Sequence, residues 1–139
     1  MTTNPAPARN PAPTDPAPTV PAPAGNPAPV AAATVKVTSD ADFAADALSP
    51  GPPVLVQFTA AWCGPCRRLK PVLAALAAEE EGRLRVVEID VDHNPATTVR
   101  HGVLATPTLL VLKDGEPVKS LVGARSKRKL RQELADVLD

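Results

Sequence analysis

From Val54 to Phe58 the chain is almost continuously apolar, with Gln57 the one interruption. A short run of this kind suits a strand buried on both faces, at the centre of a sheet covered by helices. The period then changes. Leu69, Val72, Leu73, Leu76 and Ala77 recur at helical spacing, which predicts a helix from Cys63 to about Glu80. Pro71 inside it is expected to kink it, and Gly82 to stop it. Next, Val87, Ile89 and Val91 alternate with Leu84, Val86, Glu88 and Asp90, predicting a strand from Leu84 to Val91. Asn94-Pro95 opens a short helix through Arg100 that Gly102 ends. Leu109 to Leu112 reads as a strand, and Asp114-Gly115 as a two-residue hairpin turn into a strand from Glu116 to Val122. Ser126 should cap a last helix carrying Leu130, Leu134, Val137 and Leu138 on one face. Upstream, Val35 to Val37 is a short first strand. Ser39 is a candidate cap, with Asp42 three residues on, for a helix bearing Phe43, Ala44, Ala47 and Leu48 that ends at Pro50-Gly51-Pro52-Pro53. Helices interleave with strands and a hairpin closes the series. The pattern predicts an α/β fold with a mixed sheet of about five strands between helices.

The two cysteines of the chain both lie in Trp62-Cys63-Gly64-Pro65-Cys66, where the central strand gives way to the long helix. Residues i and i+3 are neighbours on a helix, close enough for a disulfide. The unpaired N–H groups and partial positive charge of the first turn favour a thiolate at Cys63. Pro65 loses nothing there by lacking an N–H. Gly64 leaves room for another backbone near Cys63, and the Arg67 charge should lean back toward the sulfur. Arg67, Arg68 and Lys70 otherwise read as a solvated helix face. Trp62 precedes the nucleophile outside the strand and reads as a wall of the site rather than a core aromatic. Three readings of the cysteine spacing stay open: a redox dithiol, half of a zinc site, or a structural disulfide. Zinc needs four ligands. His93 and His101 are the histidines available; neither has a suggestive spacing, and both are expected to be solvated. The dithiol is expected at an exposed position, so the redox reading leads and no metal is assigned.

Composition narrows the picture. Residues 1–33 repeat Pro-Ala-Pro at Pro5, Pro11, Pro16, Pro21 and Pro27, with Arg9 and Asp15 as their charges. Such a stretch is expected to sample polyproline II as a solvated tail, leaving 34–139 as the folding domain. The net charge of zero gives no nucleic-acid footprint. Phe43, Phe58 and Trp62 are too few for a base-stacking platform. No targeting segment or membrane-length apolar run is visible, so a cytoplasmic protein is expected; a monomer is expected as well. In that reducing compartment the cysteines would cycle.

Ala61-Trp62-Cys63-Gly64-Pro65-Cys66-Arg67 after a buried strand resembles the thioredoxin family. The resemblance continues in Asp90-Val91-Asp92-His93-Asn94-Pro95, Thr106-Pro107-Thr108, Lys113-Asp114-Gly115 and Val122-Gly123-Ala124. It covers the chain from about Val35 onward and implies the thioredoxin fold. It also implies a protein-disulfide reductase whose redox-active group is the Cys63–Cys66 disulfide, with no bound cofactor. Cys63 would be the nucleophile and Cys66, more buried, the resolving thiol. An NADPH-dependent thioredoxin reductase would restore the dithiol, and disulfide-containing proteins would be the clients. The resemblance further implies a cis bond at Pro107 facing the cysteines, with the Thr106 backbone free to pair with a client strand; the alternative is a plain proline at the entry of a strand. Gly123 is either a simple bulge or room for the client. Three positions depart from the family. Gln57 stands where a buried aspartate usually assists the second cysteine, Glu88 where lysine is usual, and Thr59 where tryptophan is usual. Glu88 is therefore a candidate proton acceptor for Cys66; its alternative is a solvated edge residue, with Gln57 simply hydrogen-bonding. Two other functions remain beside general reduction: a reductase dedicated to one client, and a non-catalytic adaptor.

Overall fold

The computed structural model describes residues 35–138, so the reading of 1–33 as a tail lies outside the described residues. Within them, β1 (Val35–Val37), β3 (Arg85–Asp90) and β2 (Val54–Thr59) run parallel. β4 (Thr108–Lys113) is antiparallel to β2, and β5 (Glu116–Val122) antiparallel to β4. The sheet order is β1-β3-β2-β4-β5. All six residues of β2 are buried, Gln57 and Thr59 included, which explains why the run is so nearly apolar: it has a strand on each side and helices above and below.

Alternation along the strands divides the core in two. Leu55, Val86, Leu109 and Val111 face Leu69, Leu73 and Leu76 of α2 (Gly64–Glu79) and Leu130 and Leu134 of α4 (Lys127–Leu138). On the opposite face Val56, Phe58, Val87 and Ile89 pack with Phe43 and Ala47 of α1 (Phe43–Ala47). Each fully buried leucine or phenylalanine contributes about 1.5–3 kcal/mol of transfer free energy. The helix α2 continues through Pro71. The hairpin turns at Asp114 and Gly115, with φ of 52° and 84°, the left-handed pair that a two-residue turn matching the strand twist requires.

Two expectations are corrected. α1 starts at Phe43 rather than directly after Ser39, because Ser39 closes a separate turn whose hydroxyl and carbonyl both accept from Asp42 N–H, at 3.2 and 3.1 Å. That turn is held to α3 (Pro95–Arg100): Asp40 accepts from the N–H groups of Ala96 and Thr97 and donates its own N–H to Asn94 Oδ1. His101 is not a solvated histidine. It is half-buried, with its ring centroid 5.3 Å from Phe43 and 6.2 Å from Phe58, and its Nδ1 lies 3.1 Å from Thr97 O. His93 is exposed and contacts Asp90 at 3.1 Å. Among the described residues no helix is long and apolar enough to cross a membrane, and no three His, Cys, Asp or Glu side chains cluster as a metal site would require.

Candidate active site

Cys63 is the N-cap of α2, in extended conformation, and its Sγ accepts from the Cys66 N–H at 3.2 Å. The residues before it form a tight turn out of β2, with Cys63 N–H donating to Ala60 O. Cys63 and Cys66 are joined as a disulfide with their Cα atoms 5.3 Å apart. An N–H donor and the positive end of the helix dipole at a cap both favour a charged sulfur over a neutral one. The expected open exposure is corrected: Cys63 is 3% exposed and Cys66 0%. Both pack with Ala60 and Val91 in a small apolar cluster. Arg67 leans toward the helix N-terminus as expected, but it is more than a solvated charge, because its Nη1 donates to Ala61 O at 2.7 Å.

Of the other candidates, Trp62 and Thr106 line one hollow, and Pro107 and Gly123 are hydrogen-bonded to each other. Trp62 is exposed, and its indole N–H donates to Asp92 Oδ2 at 2.8 Å. A Cβ on Gly64 would meet nothing closer than Arg68 Nη1 at 3.6 Å, so the space over the motif is open. The Thr106–Pro107 peptide is cis, and Pro107 O accepts from the Gly123 N–H at 2.8 Å. Gly123 has φ of 99°, a conformation that L side chains disfavour. A hollow of about 130 Å³ lies between Trp62, Val91, Thr98, Val103, Leu104 and Thr106, with Leu104 fully exposed on its rim.

Beneath the cysteines lies a polar square. Gln57 is in register with Glu88 and Thr59 with Asp90, so all four side chains stand on the α2 face of the sheet. Gln57 Nε2 donates to Cys66 O at 3.3 Å. Glu88 is mostly buried and pairs with Lys70 of α2 at 2.8 Å. Burial pushes the Asp90 carboxyl up, but the N–H groups of His93 and Asp92 outweigh it and hold the carboxyl below its ordinary value. A hollow of about 370 Å³ opens beside Thr59, Arg67, Lys70, Glu88 and Asp90. Sequence reasoning missed two features here. The Asp92–Trp62 bond joins residues 30 apart; Asp92 lies in a segment noted for its resemblance, yet nothing local marks its partner. The contacts of Arg125, described below, left no local signal.

The thioredoxin family model matches residues 34–136. The chain belongs to the thioredoxin family. It is 52% identical over 106 residues to the thioredoxin of Mycobacterium tuberculosis (strain ATCC 25618 / H37Rv), an alignment covering 76% of this chain and 90% of that protein. It is 49% identical over 108 residues to the thioredoxin of Mycolicibacterium smegmatis, covering 76% and 96%. It is 45% identical over 108 residues to the bifunctional thioredoxin reductase/thioredoxin of Mycobacterium leprae (strain TN), covering 78% of this chain and 23% of that one. The five-stranded sheet with its flanking helices is the thioredoxin fold. The chain is a thioredoxin-type oxidoreductase that reduces protein disulfides by dithiol–disulfide exchange, and its redox-active group is the Cys63–Cys66 disulfide.

Proposed function

We propose that Cys63 is the attacking thiolate and Cys66 the resolving thiol. The observation carrying this reading is the position of Cys63 Sγ at the N-cap of α2, accepting the Cys66 N–H. The Cys63 thiolate attacks one sulfur of a client disulfide. A Cys63–client bond forms, the client S–S bond breaks, and the departing client thiolate takes a proton from solvent. Cys66 then gives up its proton and attacks Cys63 Sγ. The Cys63–Cys66 bond forms and the second client sulfur leaves as a thiolate. The client gains two electrons and the dithiol loses them.

In the same proposal the Cys66 proton goes to Glu88, through water in the hollow beside Thr59. Supporting it are the register of Glu88 with Gln57 and the contact of Gln57 with Cys66. Trp62, Gly64, Pro65, Thr106, Pro107 and Gly123 form the surface on which the client lies. An NADPH-dependent thioredoxin reductase returns the electrons. The Mycobacterium leprae relative, whose name joins a reductase to a thioredoxin, supports this partner. Cycling of this kind needs a reducing compartment, and we place the monomeric protein in the cytoplasm. Residues 1–33 stand outside the working unit 34–139, a division supported by the Pro/Ala composition of the segment.

The test is insulin reduction with NADPH and thioredoxin reductase. Cys63→Ser should abolish turnover, and Cys66→Ser should accumulate a mixed disulfide through Cys63. Turnover surviving Cys63→Ser, or a trapped adduct on Cys66, would overturn the assignment. Glu88→Gln should prolong the mixed disulfide near neutral pH and lose that effect as pH rises; an unchanged rate across pH removes Glu88 from the proton route.

A further inference from the structure

We propose that Arg125 is a positioning residue for client binding, a clamp that fixes Gly123 against Pro107 by tying both to α4. The inference rests on the reading above that Gly123 and Pro107 lie against the client. Arg125 Nη1 donates to Val122 O and to Gly123 O, each at 2.9 Å. Its Nε lies 2.6 Å from Glu133 Oε1 of α4. This is a charge contact and not an aligned hydrogen bond, because that oxygen has no directed donor. Both side chains are about three-quarters buried, at 21% and 24% exposure, so solvent screens the pair less than a surface pair.

The arrangement uses both backbone groups of Gly123. Its N–H goes to Pro107 O and its carbonyl to Arg125. A glycine at φ 99° has no side chain to hold it and pays a high entropic cost when ordered. Without the guanidinium, the loop at 123–125 would keep one tether, the bond to Pro107. A planar guanidinium can reach two carbonyls and a carboxylate at once; a lysine ammonium at the same place cannot span the same geometry. Arg125 thus joins the end of β5, the cis turn at Pro107 and the helix α4 into one rigid client edge. Its action is on binding, since nothing in it reaches the sulfurs.

The experiment compares steady-state reduction of insulin by the full chain, with NADPH and thioredoxin reductase, for wild type, Arg125→Leu, Arg125→Lys and Glu133→Gln. Arg125→Leu is expected to raise KM about five- to tenfold with kcat unchanged, the loss of charged hydrogen bonds that hold the loop. Arg125→Lys should fall between it and wild type. Glu133→Gln should shift KM in the same direction. Amide exchange at Gly123 should quicken in Arg125→Leu while core amides stay protected. An unchanged KM, or a fall in kcat alone, overturns the clamp. The two readings are separated in the Cys66→Ser adduct with insulin. If residues 122–124 gain no exchange protection on capture, Gly123 is not a client contact and the reading beneath the clamp fails. If they gain it and KM is still indifferent to Arg125, only the clamp fails.

Discussion

Trp62 is the single tryptophan of the chain, and among the described residues its indole N–H is tied to Asp92. Removing that tie with Asp92→Ala should free the indole, lower its fluorescence anisotropy and raise KM for insulin. Stability should stay within about 0.5 kcal/mol, as for exposed positions away from the core. A second residue-scale prediction concerns Asp46. The Lys36 ammonium, first, and the Thr38 hydroxyl hold its carboxyl below the ordinary value of 3.8. A depressed carboxyl stabilises the fold fully above its unfolded pKa and loses that contribution as pH falls through the folded one. Acid unfolding should therefore be less steep below about pH 4 in Asp46→Asn, seen in urea melts across pH; equal slopes would contradict it. The two cysteines were legible because their chemistry depends on spacing and on a helix start, both local. The polar ties of Trp62, Asp46 and Arg125 were not, because each needs a partner that only the fold brings near.

At the level of elements, Gly115 is the most exacting position of the β4–β5 hairpin. Its φ is 84°, and a Cβ there would stand 3.2 Å from Leu48 O. Gly115→Ala should cost about 1–2 kcal/mol for the left-handed backbone alone, measured by denaturant midpoint. A cost below a few tenths would refute the left-handed strain at this position. The hairpin, the central strand and the last helix could be read from sequence because turn residues and periodicity encode them directly. Ser126 does accept from Lys129 N–H at 3.1 Å, as a cap should. The start of α1 could not be read. Ser39 carries the signature of a cap, but Asp40 is drawn to the N-terminus of α3 more than 50 residues away, and this holds residues 40–42 in a turn. A long-range bond overrides a local preference there.

For the whole molecule, the two-faced core and the site are one construction. β2 carries Leu55, Gln57 and Thr59 toward α2, so the strand that fills the core also lays the polar square under Cys66. Leu130 fastens α4 to that core and is fully buried. Leu130→Ala should cost about 2–5 kcal/mol, visible as an earlier thermal midpoint; a cost under 1 kcal/mol would mean α4 is not part of the core. The strand series was legible but the register was not, so Glu88 and Gln57 could be named together through the family resemblance, while the Lys70 partner of Glu88 could not be. The most direct test of the whole is to titrate the thiols of the reduced protein, following the pH dependence of alkylation at each cysteine. Cys63 should ionise at least one unit below the value of about 8.5 for a free thiol, with Cys66 above Cys63. Two thiols titrating together near 8.5 would contradict the claim that the start of α2 activates Cys63.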